Sequence, residues 1–311
     1  MIAALLSLLA LTGTLLALPL TPAMRELLSR RDAHALPIQA ETEHITDLAT
    51  GFRASLLGRT GSRPATTLVL EKDVVLDAGL FFPDHIYAKN NLSSQGRNVF
   101  AAILCEKDFC LGESSRLLRW LHAEGMITIQ PGCILGGRVS AGQRIVLGAG
   151  CKFERVHAPT IVSAGLDTPG IEVPQPDEPV VGERVTNRIV VKKDFTLRPG
   201  EFLRSNVVAG RRIQLAEGTQ VVGSLKSKAA MELDSGVLIQ GSLVSASDLR
   251  IGPAGFVLGP VLAERELVIG SGTHIGTPDH LTTVSAPRIR IAPGAHIHGT
   301  LWAREEGLVE G

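Results

Sequence analysis

Histidines gather near the C-terminus of the chain: His274, His280, His296 and His298, with Asp279 beside the second. Imidazoles held close together can ligate a metal or move a proton near neutral pH. The four cysteines are Cys105, Cys110, Cys133 and Cys151, with no CxxC pair and no zinc-ligand spacing. Lys-Asp-apolar-x-Leu recurs at Lys72-Asp73, Lys107-Asp108 and Lys193-Asp194, and reads first as a turn with solvated charges. Trp120 and Trp302 are the only indoles. There is no P-loop, no GxGxxG after a strand, no GxSxG and no HExxH. No catalytic set is complete within any short stretch. What these residues can do depends on what the fold stacks on what.

The stacking is legible as a repeat of eighteen residues. IQLAEGTQVVGSLKSKAA starts at Ile213, MELDSGVLIQGSLVSASD at Met231 and LRIGPAGFVLGPVLAERE at Leu249. Position 1 is Ile213, Met231 and Leu249; position 3 is Leu215, Leu233 and Ile251; position 9 is Val221, Ile239 and Val257. Position 11 is Gly223, Gly241 and Gly259, position 13 is apolar, and position 15 is small: Ser227, Ser245 and Ala263. The frame continues from Phe195 and to Ile289, with about four extra residues around Thr277–Thr283, and it holds upstream from Ile127 and Ile145. The unit from Phe109 has Ser114 where glycine stands elsewhere. The unit at 74–90 is one residue short, and 91–108 matches only at Val99, Ile103 and Cys105.

Apolar residues two apart have strand spacing. One such unit cannot bury its inner face, but stacked units align like residues about 4.8 Å apart into one core. Eighteen residues suit a three-sided coil. The expected fold is therefore all-β, a parallel β-helix of about ten or eleven coils. The blocks run over 66–162 and 185–306, separated by an acidic, proline-rich insertion loop at 163–184 and followed by a tail at 307–311. In this frame His274 and His296 share position 8 and should stack, and His298 lies two residues on. Cys133 and Cys151 share position 7. The histidines read first as an outward polar ladder, and a metal or general-base site is the sharper alternative.

Composition narrows the function. Lys+Arg and Asp+Glu are both 31, so no excess of positive charge is available for general nucleic-acid binding. Glycine is frequent and aromatics are 4%, which suits a turn-rich β architecture. Residues 2–20 carry no charge and span about 28 Å as a helix, enough to cross a thin bilayer. Arg25, Arg30 and Arg31 follow this run, so the positive-inside rule places the remainder in the cytoplasm. We expect a transmembrane anchor at 1–22, a short helix and tether at 23–65, and an inner-membrane location. Thr21-Pro22-Ala23 keeps open a cleaved signal and export.

The units MELDSGVLIQGSLVSASD and IQLAEGTQVVGSLKSKAA resemble those of bactofilins, the polymer-forming bacterial cytoskeletal proteins. The shared features are the alternating apolar pair, the glycine near position 6, the Gly-x-apolar-x-small tail and the period. The resemblance covers most of 66–306. It implies a right-handed β-helix that self-associates end to end without a cofactor, as a membrane scaffold for cell-envelope enzymes. Two blocks, an acidic insertion and a short C-terminal tail depart from the family pattern. Only five residues follow the last coil, too few for a helical cap. Its edge is therefore expected to be open, with Leu301 and Trp302 as self-association residues. The rival reading is a hexapeptide-type transferase acting on sugar nucleotides or envelope polysaccharide through His274, His296 and His298. Aliphatics spaced six apart end at a Ser or Ala here, so that signature is weak.

Overall fold

Residues 67–164 and 187–311 are described by a computed structural model. The expected anchor at 1–22, the 23–65 segment and nearly all of the 163–184 insertion lie outside the described residues. Among the described residues no helix is long and apolar enough to cross a membrane.

The chain winds as an all-β parallel solenoid of about twelve turns with about eighteen residues per coil. The apolar ladders carry it. Ile213 pairs with Met231 and Met231 with Leu249, while Leu215 pairs with Leu233 and Leu233 with Ile251. Gln214, Glu232 and Arg250 alternate with them and face solvent. Val221, Ile239, Val257 and Ile275 form a second buried ladder, and Val207, Leu225, Leu243 and Val261 a third. Each strand here pairs with the strand three further along the chain, so a coil of the C-terminal block has three sides. A buried Leu or Ile contributes roughly 2 kcal/mol, and each ladder adds one such residue per coil.

Corners use special chemistry. Ser227 and Ser245 at position 15 are buried, and their hydroxyls reach the carbonyls of Arg211 and Ala229, both at 2.8 Å. The small residue satisfies the corner backbone where a larger side chain would not fit. Position 6 adopts the left-handed conformation. Gly236 has φ 64°, and Ala254 holds φ 52° at the equivalent place. An L-residue there costs about 1–2 kcal/mol. Ala254→Gly is therefore expected to raise stability by about 1 kcal/mol. Urea unfolding with an unchanged slope would show it.

The N-terminal block builds its coils from fewer, longer strands. Arg116–Ala123, Ile134–Ala141 and Lys152–Ser163 each run through a corner. The Lys-Asp segments are turns, as expected. Asp73, Asp108 and Asp194 each accept a hydrogen bond from a backbone N–H eighteen residues on, at Asn91, Met126 and Arg212. Each aspartate thus caps the turn of the next coil. The one-residue deficit falls later than the sequence frame places it. Val74 pairs with Leu92, eighteen residues on, and Leu92 with Phe109, seventeen on. The four extra residues are where expected, since Leu267 pairs with Ile289.

The C-terminus differs most from expectation. Gly307, Leu308 and Val309 are not a tail but the end of the His296–Val309 strand. This strand pairs in parallel with Thr282–Ile291 on one side and antiparallel with Lys152–Ser163 on the other. The last coil of one block thus closes the last coil of the other. Both blocks grow toward this junction from opposite ends. Residues 165–186 connect Ala164, at the junction, with Asn187, at the outer coil of the second block.

Candidate functional site

The junction gathers most of the chemistry-bearing residues. Arg155 pairs with Trp302, Val156 with Leu301, His157 with Thr300 and Val162 with His296. Backbone bonds tie its edges: the Gly150 N–H donates to the Val309 carbonyl at 2.8 Å, and the Ser163 N–H to Ala295 at 3.0 Å. The Ser163 hydroxyl donates to the Ala292 carbonyl at 2.7 Å. Lys152 meets Glu306 at 2.7 Å, but both are exposed, so this pair adds little. Phe153 is buried directly over Gly307, whose missing side chain makes the room.

Leu301 and Trp302, expected at a free edge, lie inside this internal junction. Leu301 is fully buried between Val156 and Val284. Trp302 keeps 43% of its surface exposed, with the Arg155 guanidinium 5.4 Å from its ring centre. The edge is closed because the chain supplies its own partner strand.

The two histidines of the shared frame position do stack on adjacent coils. His274 and His296 stack face to face, with ring centres 4.6 Å apart and an angle of 2°. His298 is buried, its Nδ1 donating to the Pro159 carbonyl at 2.9 Å. Among the described residues no three His, Cys, Asp or Glu side chains converge to hold a metal. Burial, then the neighbouring His296 and His298, pushes His274 down to about 4. Burial, then His298 and Arg144, lowers His296. All the charges acting on the pair are positive, so the surroundings favour neutral imidazoles.

This sets a pH dependence. The unfolded imidazoles protonate near 6.5, and the folded ones do so only at lower pH. Between those values the unfolded chain binds more protons. The contribution of the pair is therefore full above 6.5 and is lost as pH falls toward 4. The melting temperature is expected to drop by a few degrees across that window, and His274→Gln should flatten the drop. An unchanged slope in that variant would remove the pair as its cause.

Cys133 and Cys151 sit on adjacent coils, as their shared frame position implies, and both are buried free thiols. The Cys133 thiol is hydrogen-bonded to Cys151 and buried, which drives its pKa well up and keeps it protonated and inert.

The outer coils carry a second concentration of unusual residues. Among the described residues, Thr67–Leu70 and Val74–Leu76 pair on one edge only, as do Arg188–Val191, Phe195–Leu197 and Phe202–Leu203. Large apolar side chains are exposed on these coils: Val75 at 66%, Phe81 at 65%, Val190 at 65% and Phe202 at 62%. Only the reversal of the second block shows that both block starts face outward. Comparison with protein-family models, curated proteins and solved structures finds no match to this chain.

Proposed function

We propose that this protein is a non-enzymatic, bactofilin-like scaffold that associates with further copies of itself through its two outer coils. The apolar N-terminal run tethers it to the inner membrane, where its assemblies position cell-envelope enzymes. The observation that carries this reading is the exposure of Val75, Phe81, Val190 and Phe202 on the two coils that, among the described residues, pair on one edge only. An unpaired, apolar coil edge is a template for another strand. The junction supports the same reading, because there two coils of this kind already pair edge to edge within one chain. The two outer coils also begin alike, with Lys72-Asp73 and Lys193-Asp194, so each can meet its counterpart in another copy.

Electron microscopy of the full chain in detergent tests this. End-to-end assemblies are expected for the natural protein. Single double-block particles are expected for Val75→Lys with Phe202→Lys, because lysines on an edge strand oppose its pairing with another. Natural protein that stays single at every concentration would overturn the proposal. So would compact oligomers with His274 and His296 in clefts between protomers, which would favour the transferase reading.

A further inference from the structure

In the second block, the corner that follows Arg188–Val191, Asn206–Ala209 and Leu225–Ser227 gathers charge of one sign. Lys192 and Lys193 stand on its outer coil, Arg211 and Arg212 on the next, and Lys228 on the third, with Lys226 on the strand just before. All six side chains are exposed, and none meets a hydrogen-bonding or ionic partner among the described residues. Asp194 is the one acid in these three turns, and its carboxylate accepts the Arg212 backbone N–H at 3.1 Å. Stacking holds the six charges within about 10 Å along the axis. Gly210 lies between Lys192 and Lys228, and a Cβ there would be 2.6 Å from the Lys192 carbonyl oxygen. Bare backbone therefore separates the two lysines. Nearer the junction the corner answers its own charges. Asp248 meets Arg265 at 3.5 Å, Glu266 meets Arg290 at 3.0 Å and Glu264 meets Arg304 at 3.7 Å.

Beside the cations runs an apolar stripe. Val190, Val208, Lys226, Val244 and Leu262 are register partners on five successive coils, about 19 Å from end to end. They alternate with the buried ladder of Val207, Leu225, Leu243 and Val261, so they face outward. Val190 and Leu262 are exposed, and Val208 and Val244 are half-buried. Cations bordering an apolar surface suit an anionic bilayer, whose phosphates attract the charges and whose acyl boundary accepts the apolar side chains. A nucleic acid would use the charges but leave the stripe in water. A strand following the corner would also meet Asp248, Glu264 and Glu266 beyond the third coil.

We propose that this side of the second block lies on an anionic lipid surface, with headgroup phosphates at the six cations and the Val190–Leu262 stripe at the acyl boundary. The choice of a bilayer rests in part on the membrane location proposed above. The stripe runs along the solenoid axis, so it leaves the outer coil edge free to meet another copy.

The full chain is reconstituted into phosphatidylcholine vesicles with and without phosphatidylglycerol, and lysine acetylation by an N-hydroxysuccinimide ester is read by mass spectrometry. Lys192, Lys193, Lys226 and Lys228 are expected to react roughly threefold more slowly on the anionic vesicles, and high salt should remove the difference. Lys107, in the other block, should react alike on both. Lys192→Gln with Lys228→Gln, both exposed, should weaken the protection of Lys193 and Lys226 while the melting temperature holds. Equal reactivity on the two vesicles would overturn the proposal. So would full protection already present on neutral vesicles, which would give the corner to the acidic residues of 165–186. Equal protection by oligothymidylate in detergent would give it to nucleic acid and would also overturn the proposal. Alkaline carbonate extraction keeps the two readings apart. A chain that carbonate releases, but whose lysines are protected on anionic vesicles alone, would remove the anchor at 1–22 and leave the corner standing.

Discussion

Gly307→Leu is expected to open the junction and to cost about 3 kcal/mol or more. Gly307 pairs directly with Phe153 across the two blocks. A Cβ on Gly307 would lie 2.3 Å from the Phe153 ring, far inside contact distance. The ring is 2% exposed, so it has no open space to swing into. Either the ring leaves the core or the two strands part. Expelling a buried phenylalanine costs about as much as truncating it, roughly 3–5 kcal/mol. Strand separation would also release the bonds of Gly150 and Val309. A lower melting temperature, faster amide exchange at those two residues and a red-shifted Trp302 emission are expected together. The parallel ladders within each block should be spared, so most β signal should remain after the junction has opened.

A double-mutant cycle separates this contact from general damage. Phe153→Ala alone should cost roughly 3–5 kcal/mol. Phe153→Ala with Gly307→Ala should cost clearly less than the two single changes added, because the new methyl enters the space that the ring leaves. Strict additivity would mean that the two residues do not face each other. Gly307→Leu at natural stability would mean that the blocks do not join here.

How much of this could be read from the residues follows from the kind of pairing. Parallel stacking puts residues eighteen apart in contact, so a repeat in sequence is a repeat in space. The Ile213, Met231 and Leu249 ladder and the His274–His296 stack were visible for that reason. Trp120 and Arg138 also share a frame position, so their pairing was legible in principle. Arg155 is one place out of frame because a register shift lies between Phe153 and Arg155. Trp302 reaches Arg155 only through the antiparallel pairing. Such a pairing reverses one strand against the other, and no fixed offset in sequence records it. The sole local hint was the missing side chain of Gly307 opposite a large aromatic. Leu92 shows a milder case, in which one missing residue moved the frame by a position and hid a buried ladder residue.

The glycines of the coil divide into two kinds, and a pair of alanine substitutions should separate them by several-fold in cost. Gly241 follows Gly223 and precedes Gly259 up one corner. A Cβ on Gly241 would sit 2.3 Å from the Gly223 carbonyl oxygen and 2.4 Å from its carbon. Both are backbone atoms of the coil beneath, so relief requires the coils themselves to move apart. Their spacing is set by the hydrogen bonds of three sheets at once, including Leu225 to Leu243 and Val221 to Ile239. Gly241→Ala is expected to cost about 3 kcal/mol or more, as backbone overpacking in a rigid lattice. Gly236 is five residues earlier, has φ 64°, and meets only the Gly218 nitrogen at 4.0 Å. Gly236→Ala therefore meets a conformational penalty alone, about 1 kcal/mol. Urea unfolding of both variants, side by side, reads the difference. The order follows from the stacking itself: a left-handed turn tolerates a methyl at a modest cost, as Ala254 already does one coil on, whereas a corner where backbone rests on backbone has no space for one. Equal costs would mean that the coils are not in contact at Gly241, and the corner packing described for this solenoid would have to be abandoned.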